Sequence, residues 1–162
     1  MADAKERIGK EAPAGLTADS VGDGILDILP WAVYSTEGGK SVRMYTDQDM
    51  SITMWNLLPG QEHSAHLHPE RAHIMVVVTG TGTALIGEAK KHHDLKAGDY
   101  YIAPRNVIHG ILNTGTEPLT YATISNNNQV VNAAVPVGEQ QKPAGREPAG
   151  MENWRPAGGA GH

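Results

Sequence analysis

The sequence predicts an all-β protein with a closed or double-sheet antiparallel architecture. Three observations carry this reading. Short runs rich in Val, Ile, Thr and Tyr alternate with Gly, Pro, Asn and Asp clusters between about residues 26 and 135. Nineteen Gly and ten Pro accompany a complete absence of Phe and Cys, a turn-rich composition unlike that of a helical bundle. No helix longer than a turn is evident in this region, and so many strands must hide their edges by closure or by pairing two sheets.

Taken in order, strands are expected at 31–36, 41–46, 51–58, 63–68, 73–79, 83–86, 100–103, 107–113, 119–125 and 130–135. The turns come from Gly38-Gly39, Pro59-Gly60, Thr79-Gly80-Thr81-Gly82 and Ala97-Gly98-Asp99. The predicted organisation is an N-terminal arm over 1–24, a β-barrel domain over 25–136 and a C-terminal arm over 137–162. The charged N-terminal segment can form a helical turn or two but has no apolar stripe. Gly, Ala and Pro dominate the C-terminal arm, a composition that cannot fill a core. Its Trp154 is expected to dock if the arm is exchanged in a dimer.

Composition also excludes functions. Without cysteine there is no disulfide, thiolate metal site or cysteine nucleophile, so a transition-metal site must draw on His, Asp and Glu. Thirteen basic against eighteen acidic residues give a net charge of -5 with no Lys/Arg cluster, so nucleic acid is not an expected partner. No apolar run reaches membrane-spanning length, and the first residues lack a signal-peptide core, so membrane association is not expected and a cytoplasmic location is. Gly-x-Ser-x-Gly nucleophile turns, phosphate loops and paired-carboxylate motifs are absent.

Eight histidines remain, and four are spaced suggestively. His66 and His68 are two apart, so on a strand both rings face one side. His73 opens the next strand and shares a face with Met75 and Val77, while His109 lies on a later strand beside Val107 and Ile111. A polar ring among apolar neighbours needs a partner. A bare His-x-His pair recurs by chance, but the surrounding spacing is longer. Gly60, five residues, His66-Leu67-His68, four residues, His73, six residues, Gly80 forms one string. Gly98, five residues, Pro104, four residues, His109, three residues, Asn113 forms the other.

These two strings resemble the paired motifs of the cupin superfamily and cover residues 60–113. The resemblance implies a double-stranded β-helix, a jelly-roll barrel, holding a metal through His66, His68, His109 and the fourth motif position. Here that position, a glutamate in the usual pattern, is His73, and the second motif's glycine is Asn106, a residue that also tolerates a left-handed turn. Four neutral imidazoles would leave the +2 charge of one divalent ion (Fe, Mn, Cu, Ni or Zn) uncompensated, and so attract an anionic chelating ligand. The inter-motif segment 81–97 would hold a hairpin carrying His92 and His93, themselves read as an exposed turn.

Around the centre, Glu70 is a candidate base or alternative ligand, against the plainer reading of a solvated loop carboxylate. His63 has the opposite strand parity to the ligand pair and is expected to face outward or line the mouth. Met44, Met54, Met75 and Ile111 are candidates for an apolar pocket wall, ordinary barrel packing being the alternative. Asn113 is read as structural, bonding backbone at a strand end. Arg43 and Arg105 are read as surface arginines, and Trp55, Tyr100 and Tyr101 are open between core, interface and pocket. The leading functional expectation is a metal-dependent enzyme acting on a small chelating organic substrate, with dioxygenase-like oxidoreductase chemistry. The alternatives are a non-redox lyase or isomerase and a non-catalytic metal- or ligand-binding module, and a homodimer is the expected assembly.

Overall fold

The structure is a computed structural model, which describes residues 4–24, 27–87 and 91–127. Among the described residues the chain forms nine strands: β1 Lys40–Thr46, β2 Met50–Leu57, β3 Glu62–His66, β4 His73–Thr79, β5 Thr81–Ile86, β6 Lys91–Lys96, β7 Tyr100–Ala103, β8 His109–Leu112 and β9 Leu119–Asn126. They make a five-stranded sheet in the order β1-β2-β9-β4-β7 and a four-stranded sheet in the order β3-β8-β5-β6, with every pairing antiparallel. This is the jelly-roll arrangement that the sequence predicts. The expected strand at 130–135 and the C-terminal arm lie outside the described residues.

Alternation along the strands sets the inner face. His73, Met75 and Val77 of β4 are buried while Ile74 is exposed, as period-2 geometry requires. The barrel core joins Leu57, Met75, Val77, Ala84, Leu95, Tyr101, Ala103, Ile111, Leu119 and Tyr121 from both sheets. On the outer face of the larger sheet β4 and β7 leave Ile74, Ile102 and Tyr100 exposed.

A second core cluster forms on the outer face of β1 and β2, where Val42, Met44 and Met54 meet Trp31 and Val33, with Ala12, Leu16 and Ile28 packed against them. Met44 and Met54 are therefore not walls of a pocket by the histidines; they are covered by the preceding chain on the opposite side of the sheet. Residues 31–36 form no strand. A 3-10 turn, Leu29–Trp31, and an isolated bridge from Ile8 to Tyr34 replace it. Hydrogen bonds fix this layer: Tyr34 Oη to Thr120 Oγ1 at 2.8 Å, Thr120 Oγ1 to Asn56 Oδ1 at 3.0 Å, and Asn56 Nδ2 to the Trp31 carbonyl at 3.1 Å. Leu16 bridges Tyr45 in parallel, so the N-terminal segment also caps the edge strand β1. Among the described residues no helix is long and apolar enough to cross a membrane.

Two further expectations are corrected. His92 and His93 belong to β6, paired with Leu85 and Ala84, and not to a turn. Strand β3 ends at His66, which leaves His68 in the following loop.

The most consequential irregularity is in β3. Its register against β8 runs His63 to Ile111 and His66 to His109, three steps on one strand against two on the other. The extra residue is a β-bulge, and it makes His63 and His66 face the same way. Gly110 permits it: a Cβ there would lie 2.9 Å from Ala65 N, Ala65 Cα and the His63 carbonyl oxygen. Gly110→Ala is therefore expected to destabilise the fold by about 1–3 kcal/mol, since overpacking against backbone cannot relax by a side-chain rotation. Urea unfolding checks this, and an unchanged midpoint would contradict the close crossing.

Candidate metal centre

The bulge, the loop after β3 and the starts of β4 and β8 bring the histidines together. Ring centroids of His66 and His109 are 4.5 Å apart, those of His66 and His68 4.7 Å, and those of His68 and His73 4.5 Å, with the last pair stacked. His66, His68 and His109 each offer a nitrogen within 4.8 Å of the others, and this group contains no carboxylate. His73 stands beside it, its ring 5.4 Å from that of His109. The four predicted histidines thus share one site, three as a compact tripod and the fourth against its side.

Local hydrogen bonds orient the rings. His66 Nδ1 lies 2.7 Å from the Ser64 carbonyl and His109 Nδ1 2.8 Å from the Val107 carbonyl. A carbonyl accepts only, so each Nδ1 carries the hydrogen and each Nε2 presents a lone pair. The backbone beneath them is tied across the two motifs: Asn106, with φ of 61°, donates its N–H to the His68 carbonyl at 3.1 Å. Asn113 is structural, as its motif position suggests. Its Nδ2 donates to the Leu57 and Glu117 carbonyls at 2.9 and 3.0 Å, and its Oδ1 accepts from Gly115 N at 3.0 Å.

Burial favours the neutral form of three of these imidazoles, His68, His73 and His109. Desolvation, reinforced by repulsion among the neighbouring rings, pushes His73 down from 6.5 to about 3. Desolvation likewise pushes His109 down to about 4 against the opposing Val107 bond, and His68 is lowered by the same cause. Neutral rings at pH 7 are the protonation state that metal ligation requires. The fit extends to a buried orphan: His73 Nε2 has no hydrogen-bond partner among the described residues. The donor set and this unpaired nitrogen both suit a transition-metal ion.

His63 is where the sequence reading failed. Strand parity placed it outside or at the mouth, but the bulge turns it inward. Its ring stacks on Trp55 at 3.6 Å and sits 4.4 Å from that of His66, with Nδ1 2.7 Å from the Tyr121 hydroxyl. Burial, then the charges of the other four rings, push it down to about 3. The missed signal was Gly110, since a glycine within a strand often marks a bulge or a close backbone approach. Trp55, left open by the sequence, is thereby part of the site. Met75 and Ile111 belong to the barrel core beneath the histidines, whereas Glu70 is exposed in the β3–β4 loop.

Comparisons with known proteins agree with this fold. Residues 53–125 match the cupin domain family. An uncharacterized conserved protein with a double-stranded β-helix domain from Klebsiella pneumoniae subsp. pneumoniae MGH 78578 superposes with a TM-score of 0.60 at 26% identity, over 63% of this chain and 88% of that one. TT1209 from Thermus thermophilus gives 0.59 at 24% identity, over 63% and 95%, and KdgF from Halomonas sp. gives 0.51 at 21%, over 56% and 82%. No curated protein matches the chain. Residues 53–125 thus form a cupin domain.

The lowered histidine values fix the acid response. Unfolded, these residues titrate near 6.5; folded, His63 and His73 titrate near 3 and His109 near 4. Between those limits the unfolded state binds more protons, so stability is lost as pH falls below 6.5 and the loss continues towards 3. Metal-free protein followed by thermal unfolding across this window is expected to show a falling midpoint, with a shallower fall in His63→Phe. Equal slopes would contradict the buried, neutral His63.

Proposed function

We propose that this chain is a metal-dependent cupin enzyme that acts on a small chelating organic substrate, with oxidation by dioxygen as its chemistry. One observation supports this reading above others: four inward-facing imidazoles converge with no carboxylate among them. His66 and His109 would hold the ion through Nε2 and His68 through a ring nitrogen, with the unpaired Nε2 of His73 as fourth donor. A divalent transition-metal ion bound there supplies Lewis acidity and, if redox-active, an electron route to dioxygen.

The protein's own groups set the rest. Uncharged ligands leave the site electropositive, so it attracts a substrate that chelates through anionic oxygens. Met75 and Ile111, buried below the rings, exclude water from the inner side. The Tyr121 hydroxyl is held protonated by burial and shares one hydrogen bond with His63; when it donates to Nδ1, His63 presents Nε2–H towards the site. Glu70 is exposed and outside the histidine cluster, so it is not placed to serve as a base there.

Elemental mass spectrometry on the purified protein tests the centre. Near-stoichiometric Fe, Mn, Cu or Ni is expected in wild type. Metal affinity should fall by at least about 100-fold in His66→Ala and His109→Ala, because lost ligands cost no less than their supporting residues. Glu70→Gln is expected to keep its metal. Oxygen uptake with chelating organic acids then tests the chemistry: zinc alone and no uptake would overturn oxidation and leave the metal centre standing.

A further inference from the structure

Three buried polar atoms on the inner face of the five-stranded sheet have no hydrogen-bond partner among the described residues: His73 Nε2, the Tyr101 hydroxyl and Thr123 Oγ1. Their residues are 9%, 2% and 5% exposed. Register sets the two hydroxyl-bearing residues on either side of Met75, which pairs with Tyr101 on β7 and with Thr123 on β9. His73 lies two residues before Met75 on the same face of β4. The row Thr123–Met75–Tyr101 is therefore the first layer inside the histidine cluster, and the Tyr101 ring meets that of His109 edge-on at 6.5 Å. In the next layer Tyr121 pairs with Val77, and its hydroxyl is taken by His63. Leu57 and Leu119, paired with each other, lie beyond.

Hydroxyls elsewhere in the same sheet are partnered, as in Ser51 with Ser125 at 3.3 Å and Thr120 with Tyr34 at 2.8 Å. The unpaired ones are confined to the layer under the histidines. A buried hydroxyl without a partner lowers stability, and Phe or Val would fill the same space without that cost. Polar groups kept at such a cost mark a place where a water, an ion or a ligand completes the bonding.

We propose that the Tyr101 and Thr123 hydroxyls are a second anchor for the ligand, gripping an oxygen substituent set back from the end that meets the histidine centre. The inference rests on the metal-centre reading above and narrows its substrate class to small polyoxygenated organic acids. One end carries a chelating pair, a carboxylate with a 2-hydroxyl or 2-oxo group. The other carries a further hydroxyl or carbonyl. Tyr101 donates, Thr123 donates or accepts, and Met75 supplies the apolar contact between them. A hydrocarbon tail would leave both hydroxyls buried and unpaired, which is how such a site rejects it.

The test uses the full chain as wild type, Tyr101→Phe, Thr123→Val and the double variant, with glycerate and lactate as probes. These acids share the chelating end and differ by one terminal hydroxyl. Metal content is measured on each protein as purified, thermal midpoints on metal-free protein, and ligand affinity by calorimetry on metal-loaded protein. Wild type is expected to prefer glycerate by about tenfold, the range one hydrogen bond supplies, and the double variant to lose that preference at equal metal content. Its midpoint should be unchanged or raised. A midpoint lowered by more than about 4 °C would show that the hydroxyls serve the fold, and a retained preference would place the anchor elsewhere. Wild type that fails to distinguish the acids, or binds neither, overturns the ligand class. Failure of the metal centre itself would show separately, as wild type without metal.

Discussion

One extra residue in β3, accommodated opposite Gly110, is the constraint on which the site depends. An unbroken strand would alternate its side chains and leave His63 facing away from His66. The bulge turns both inward, and the strand ends at His66, so His68 reaches the cluster from a loop, its carbonyl held by Asn106. The same close crossing stacks His63 on Trp55 and brings it to Tyr121. The first motif thus contributes an additional imidazole beyond the metal-ligand pattern, and it does so through backbone geometry.

Much of this was legible in the sequence, for physical reasons. Sheet periodicity and turn residues identify strands wherever one face is buried, as in β2, β4 and β9. The spacing of His66, His68, His73 and His109 brings the four rings together because both motifs sit on paired antiparallel segments. Asn106 and Asn113 also behave as their positions suggest, one in a left-handed turn and the other bonding backbone. What alternation cannot reveal is a break in alternation, so His63 was placed on the wrong side. Nor does it say which face of a two-sided sheet a methionine serves. Met44 and Met54 look like pocket residues until the N-terminal segment is seen to lie on their face, and residues 31–36 form part of that covering layer. Strand β6, with Lys91, His92 and Asp94, is too polar to read as a strand; its pairing with β5 supplies the order that its composition does not.

The barrel divides its interior by chemistry. Leu57, Leu119, Ala84 and Leu95 close one region with hydrocarbon, whereas the histidines and the hydroxyls of Tyr101 and Thr123 keep the other polar. Such a division opposes stability at the polar end, where desolvated imidazoles and unpaired hydroxyls are costly, and is sustained by the packed end and by the outer cluster around Trp31. Ligands that pair with the polar end bind the folded state alone and stabilise it by mass action.

The most direct test of the central claim is a crystal structure of metal-loaded protein with anomalous difference maps at the metal edge. A single peak bounded by ring nitrogens of His66, His68, His73 and His109 is the predicted result. A peak held through Glu70, or no peak among the four rings, would contradict the four-imidazole centre.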